Sequence, residues 1–299
     1  LASCSSDHTC RLWDVESSEC RFVLDGHSWS VRHCSFSPDG GLLATASWDC
    51  SCRVWDTASG RCVCILKEDM GSVESCRFCP TNTILATGSK DGSFRLWDVD
   101  TGQCVHVLEG ITVFKPFDAS SFSPDGTLIA TLPSDKECCL WSVATGRVVT
   151  KLKVDVKGVA FSPKGTLVAT WWDGAVTLWT TLTGECAVKF RGKEYIADTC
   201  VFSATGDMLA SCFGKKCFVW NADTGQCLSV LDRHEEKVSF ALFSRDEATL
   251  ATCSVDATCR LWNIDSRVEK ERINRLWRMK RREWMNAAHC TGIRTAIAA

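Results

Sequence analysis

No stretch of roughly 18 consecutive apolar residues occurs in this chain, and its first ten residues lack the basic start and apolar run of a secretion signal. Neither membrane insertion nor secretion is expected. An excess of one charge is also missing: 34 Lys and Arg stand against 36 Asp and Glu, a net charge of −2 with the two signs interspersed. Without a basic face there is little of the phosphate attraction that dominates nucleic-acid binding, so no nucleic-acid partner is expected. There is no Asn-x-Ser/Thr sequon and no glycine-rich phosphate cradle. The six histidines (His8, His27, His33, His106, His234 and His289) are scattered and form no constellation with a nucleophile or metal-ligand spacing. An enzyme, a cofactor and a metal are therefore not expected. What the chain does have is length and apolar content, 299 residues at 45% hydrophobic, enough for a large buried core.

Cysteine is abundant, at 21 residues, and the odd count over so long a chain does not read as a secreted disulfide framework. Position explains most of them. Cys10, Cys52, Cys138, Cys217 and Cys259 lie three residues before a recurring Trp; Cys20, Cys62, Cys104, Cys186 and Cys227 start the segment after a turn; Cys34, Cys76 and Cys200 lie two before a recurring Phe. Equivalent places elsewhere hold Phe94, Val176, Val148, Val159 or Ala241, so the columns call for a modest buried side chain, which a reduced Cys supplies. Cys76 and Cys79 make a lone CxxC, but residues three apart on a strand face opposite sides, which argues against a zinc or redox pair. A reduced, cytoplasmic setting fits best.

The organising signal is a Trp at 13, 55, 97, 141, 179, 220 and 262, at intervals of 42, 42, 44, 38, 41 and 42 residues, a period that means a repeat architecture. Asp stands six residues before six of them (Asp7, Asp49, Asp91, Asp135, Asp173 and Asp256), and Gly214 takes that place before Trp220. Phe-Ser-Pro or a relative recurs in each interval, as in Phe36-Ser37-Pro38 and Phe122-Ser123-Pro124, followed by a turn such as Asp39-Gly40. For residues 28–66 the runs between turns predict strands over Trp29–Phe36, Leu42–Ser47, Cys52–Asp56 and Cys62–Leu66, hence four strands per repeat. A four-stranded meander cannot bury both faces alone; sheets must lean on one another.

With Trp13-Asp14, Trp55-Asp56 and Trp97-Asp98 as its signature dipeptide, and Trp220-Asn221 and Trp262-Asn263 as relaxed forms, the chain resembles the WD40 family over residues 1 to about 264. The resemblance implies an all-β, seven-bladed WD40 β-propeller. It also implies a hydrogen-bonded network of a His, a turn Asp and the Trp, carried here by His27, Asp49 and Trp55 and by His234, Asp256 and Trp262. Elsewhere Asp69, Val113, Lys151 and Gly192 stand 22 residues before the Asp where the His would be. The fifth and sixth repeats are one residue shorter between Phe and Trp, 18 rather than 19, which would flip side chains if the gap fell within a strand.

The first repeat begins at its second strand and the last stops after its third, so the first and last blades are expected to be incomplete and the chain a fragment of a longer one. Residues 265–284 break the strand rhythm and predict a short basic C-terminal helix, with Ile273, Leu276, Trp277 and Trp284 on one stripe; residues 1–264 and 265–299 are read as propeller and tail. The function expected is a scaffold that binds partner proteins or peptides at the face where the turns between second and third strands emerge. The alternative is a substrate-recruiting or sensing module of a larger assembly, such as a ubiquitin ligase or a nucleotide-driven ATPase. The residue before each turn Asp should look outward: Ser6, Trp48, Lys90, Ser134, Trp172 and Val255, with Phe213 before Gly214. Trp48 and Trp172, with Trp29 beside His27, would be aromatic anchors; packing of these indoles into the core is the competing reading.

Overall fold

The computed structural model describes residues 1–67, 71–81, 83–108, 120–134, 137–172, 174–191 and 197–264. Among them every regular element is a strand, and the strands form seven sheets in which neighbours follow chain order. The first sheet holds β1 (Ala2–Cys4), β2 (Cys10–Trp13) and β3 (Cys20–Leu24); the second β4 (Val31–Phe36), β5 (Leu42–Ser47), β6 (Cys52–Asp56) and β7 (Cys62–Leu66). The third holds β8 (Val73–Phe78), β9 (Ile84–Ser89), β10 (Phe94–Asp98) and β11 (Gln103–Leu108); the fourth β12 (Ser120–Phe122), β13 (Leu128–Ser134), β14 (Glu137–Ser142) and β15 (Val148–Lys153). The fifth holds β16 (Gly158–Phe161), β17 (Leu167–Trp172), β18 (Ala175–Thr180) and β19 (Cys186–Arg191); the sixth β20 (Ala197–Phe202), β21 (Met208–Phe213), β22 (Lys216–Asn221) and β23 (Cys227–Leu231); the seventh β24 (Val238–Phe243), β25 (Thr249–Ser254) and β26 (Cys259–Asn263). These antiparallel sheets of three or four strands are consistent with WD40 blades, the first and last having three strands as expected. In the second sheet only the start of the first strand moved, from Trp29 to Val31. The helix expected after residue 264 lies outside the described residues.

The chain divides into two compact units, Leu1–Lys189 and the residues from Phe190 onward, the boundary falling inside β19. Within the first unit, apolar side chains fill the space between successive sheets: Cys10, Leu12 and Leu24 pack with Val31, Leu43 and Trp55, and Ala46, Cys52 and Leu66 with Val73, Cys76 and Trp97. Within the second, Ala210, Cys212 and Val219 pack with Val238, Ala241 and Phe243. Each Leu or Val so enclosed is worth roughly 1.5–3 kcal/mol. Burial is greatest on the second strand of a sheet, where five of the six residues of β5, β9 and β21 are buried, and least on the fourth, where Val63 and Ile65 of β7 face outward. The core therefore lies between sheets and not within them.

The shorter repeats lose their residue in the turn. Thr170 and Ser211 are nine residues ahead of Trp179 and Trp220, whereas Thr45 is ten ahead of Trp55. The hairpin of the sixth sheet tightens so that Phe213 pairs Lys216, while the pairs beneath it, Cys212 with Cys217 and Ser211 with Phe218, match Ala46 with Cys52 and Thr45 with Arg53 in the second sheet. No strand slips, and no side chain changes face.

Among the described residues, the one after the turn Asp takes a left-handed backbone: Gly92 has φ 87° and Gly174 φ 74°, but His8, Cys50 and Ala257 hold the same place at 74°, 64° and 61°. A side chain there costs on the order of 1 kcal/mol that glycine avoids. Ala257→Gly should accordingly raise the free energy of unfolding by up to about 1 kcal/mol, read from urea denaturation. A lowered midpoint would mean that the turn does not impose this geometry.

Candidate binding surface and the network beneath it

The most regular polar feature is one that the sequence reading overlooked. In all seven sheets the Trp indole Nε1–H donates to a hydroxyl on the neighbouring second strand: Trp13 to Ser3, Trp55 to Thr45, Trp97 to Thr87, Trp141 to Thr131, Trp179 to Thr170 and Trp220 to Ser211 at 2.8 Å, and Trp262 to Thr252 at 2.7 Å. A Ser or Thr ten residues before each Trp, nine in the two short repeats, was the available signal.

In the second sheet this hydroxyl is shared. His27 Nδ1 lies 2.8 Å from Asp49 Oδ2, and Nε2 lies 2.7 Å from Thr45 Oγ1. A carboxylate only accepts, so Nδ1 carries the proton; Nε2 of the neutral ring then accepts from Thr45, whose oxygen accepts from Trp55. The result is a directed chain, indole to hydroxyl to imidazole to carboxylate. Burial lowers the His27 pKa, against a smaller opposing pull from Asp49, and keeps the ring neutral. Burial pushes the Asp49 carboxyl up, but hydrogen bonds from Ser51, His27 and the Ser28 amide outweigh it and hold it below the usual range. The seventh sheet repeats the arrangement, with His234 Nδ1 2.9 Å from Asp256 Oδ2, Nε2 2.8 Å from Thr252 Oγ1, and Trp262 on the same hydroxyl. The Asp256 carboxyl is lowered, first by the Thr258 hydroxyl and then, against its burial, by His234 and the Glu235 amide. Both expected networks form, each with a fourth member.

The other sheets use fragments of the same plan. Asp91 accepts from Ser93 and from the Gly71 amide; Asp7 accepts from Thr9 and pairs with Arg11 at 3.0 Å. Asp135, Asp173, Asp69, Val113 and Gly192 lie outside the described residues. Lys151, expected in the loop before the fifth sheet, instead sits within β15, opposite Cys139 and 3.2 Å from Glu137, because that loop is shorter than the one bearing His27.

Above the second-sheet network lie the loop that bears Trp29 and the hairpin that bears Trp48. Ser47 Oγ donates to the Trp29 carbonyl, the Ser28 amide to Asp49, and the Trp48 amide to the Ser30 carbonyl, which ties the loop to the hairpin. Trp29 is 58% exposed, and its ring meets Trp48 edge-on at 6.4 Å. Trp48, which the sequence reading counted as exposed, is half-buried: its Nε1–H donates to Glu74 at 2.8 Å and the Arg32 guanidinium lies 4.8 Å over its ring. Lys90 is exposed one sheet further on, its amide bonded to the Ser72 carbonyl, while the Ser72 hydroxyl reaches the Trp48 carbonyl. Trp29, Trp48 and Lys90 thus belong to one connected surface.

Ser6, Trp172 and Val255 are exposed but stand on other sheets, and the Ser134 side chain lies outside the described residues. Phe213 does not look outward. It is 2% exposed and packs edge-on against Phe218 at 5.7 Å, at the strand position that buried Ser47 holds in the second sheet.

Residues 1–14, 18–56, 60–98, 102–142 and 225–263, more than half the chain, match the family described as WD domain, G-beta repeat. The chain belongs to the WD40 repeat family. WD40 repeats generally mediate protein–protein interaction. The chain is 49% identical over 51 residues to Protein CIA1 of Arabidopsis thaliana, covering 15% of this chain and 14% of that protein. It is 49% identical over 55 residues to Telomerase protein component 1 of Rattus norvegicus, covering 15% of this chain and 2% of that protein. The matched segments thus span only a small part of either relative.

Thr45→Val leaves both the Trp55 N–H and His27 Nε2 without a partner and should cost about 2–4 kcal/mol, whereas Thr45→Ser should cost much less, as measured by urea denaturation. Because the folded pKa of His27 is lowered, its contribution is complete above the usual value of about 6.5 and is lost as pH falls below it. The denaturation midpoint should therefore drop between pH 7.5 and 5.5, and less so in His27→Gln; equal drops would show that His27 is not the responsible group.

Proposed function

We propose that the chain is a protein-binding WD40 module whose residues 1–264 form one seven-bladed propeller, followed by a tail over 265–299. It engages a protein or peptide partner, and neither nucleic acid nor membrane, on the surface around Trp29, Trp48 and Lys90. One observation carries this reading: a largely exposed indole rests on a second indole that is braced from two sides, by Glu74 on its N–H and Arg32 on its face. Exposed aromatic side chains held in fixed positions lose little entropy on binding and are enriched among residues that dominate interface energies. Arg32 and Lys90 add charge at the rim, which suits a partner with acidic and apolar groups side by side. The repeated carboxylates are occupied in turns and networks, which supports binding rather than catalysis as the activity. The placement of thiols by the repeat, in positions filled elsewhere by Ala or Val, supports a cytoplasmic setting. Among the described residues no helix is long and apolar enough to cross a membrane.

Recruitment or sensing within a larger assembly is a second reading, favoured by the rat relative, in which the matched segment is 2% of the protein.

A photo-crosslinking residue at position 29 should capture a partner that the same residue at Leu182, exposed on a third-to-fourth-strand turn, does not. Trp29→Ala should weaken that partner's binding at least about tenfold, a loss of roughly 1.4 kcal/mol, without lowering the denaturation midpoint. Equal capture from both positions, together with unchanged affinity in Trp29→Ala, would remove this surface from consideration.

A further inference from the structure

Where the first two sheets meet, three thiols converge. Cys4 and Cys10 are cross-strand partners on β1 and β2, Cys34 comes from β4 of the next sheet, and the three Sγ atoms all lie within 4.8 Å of one another. Cys10 is fully buried, and Cys4 and Cys34 are half-buried. The cluster rests against the apolar floor of Leu12, Leu24 and Val31.

This three-position constellation recurs between sheets with other occupants. Between the second and third sheets it is Ala46, Cys52 and Cys76; between the sixth and seventh it is Cys212, Cys217 and Ala241. At these two junctions the packing is met by two thiols and an alanine. Three sulfurs together exceed that demand. Sulfurs bound to one zinc at about 2.3 Å stand roughly 3.8 Å apart in a tetrahedron, so the observed spacing needs only a small inward rotation of the side chains.

We propose that Cys4, Cys10 and Cys34 form a binding site for a thiophilic divalent cation of the Zn²⁺ class. Three S–Zn bonds replace three S–H bonds, and the protons pass to solvent. Zn²⁺ with three thiolates leaves a net charge of only −1 against the apolar floor, while the half-exposed side at Cys4 and Cys34 leaves the fourth position open to water. Soft thiolate donors with no carboxylate among them disfavour Mg²⁺ and Ca²⁺.

The test is a Co²⁺ titration of the purified whole chain, kept reduced with a phosphine, followed by Zn²⁺ competition. One Co²⁺ per chain should bind with thiolate-to-cobalt charge-transfer absorption, and Zn²⁺ should erase it. Cys34→Ala and Cys4→Ala reproduce the occupancies found at the sixth–seventh and second–third junctions, so both variants keep a packing that the fold already uses. Each should weaken Co²⁺ binding by roughly 100-fold or more, beyond the about 10–100-fold that loss of a mere outer partner costs. Cys212→Ala should bind as the parent does. Absence of the absorption in the parent, its persistence in both Cys34→Ala and Cys4→Ala, or its equal loss in Cys212→Ala would overturn the proposal.

Discussion

A buried indole needs an acceptor for its N–H, and in every sheet the answer is a hydroxyl on the strand beside it. That single bond fixes the orientation of the Trp and pins the third strand to the second at the point where the sheet packs on its neighbour. The bonding register changes immediately before the Trp in most sheets, as between Val54 and Trp55 or Val219 and Trp220, so one extra residue on the fourth strand accommodates the large ring. Where a His and an Asp join, in the second and seventh sheets, the same hydroxyl also anchors the preceding loop. The surface bearing Trp29 inherits its shape from this buried chain of donors and acceptors.

Much of this could be read directly from the chain. The period of the Trp located all seven sheets, and turn residues placed strand ends to within two positions in the second. Both His–Asp pairs followed from the resemblance to the WD40 family. The Thr and Ser column was equally periodic, but a hydroxyl looks like an ordinary strand residue until its distance to an indole is known. Phe213 was misplaced for a different reason: a gap of one residue can be assigned to a strand or to a turn, and only the pairing of Cys212 with Cys217 shows that the turn absorbed it. Lys151 was misplaced because counting back a fixed 22 residues ignores a shortened loop.

The cysteines show where column-by-column reading stops. Thirteen of the thiols follow columns of the repeat, and other repeats fill those columns with residues such as Val or Ala. Proximity across two sheets is a property of three columns at once, and nothing in a single repeat reveals that Cys34 meets Cys4 and Cys10. The CxxC formed by Cys76 and Cys79, more conspicuous as a motif, is split as strand geometry requires. Cys76 faces the cluster shared with the second sheet, and Cys79 faces the one shared with the fourth.

The two shortened hairpins also show how the scaffold separates its frame from its decoration. Removing a residue between Phe213 and Lys216 changes the loop tip and leaves every rung beneath it in place. The frame behaves like a rack with interchangeable fittings: a peptide tag or a reporter spliced between Gly214 and Lys215 would ride on the sixth sheet without disturbing the packing that supports it.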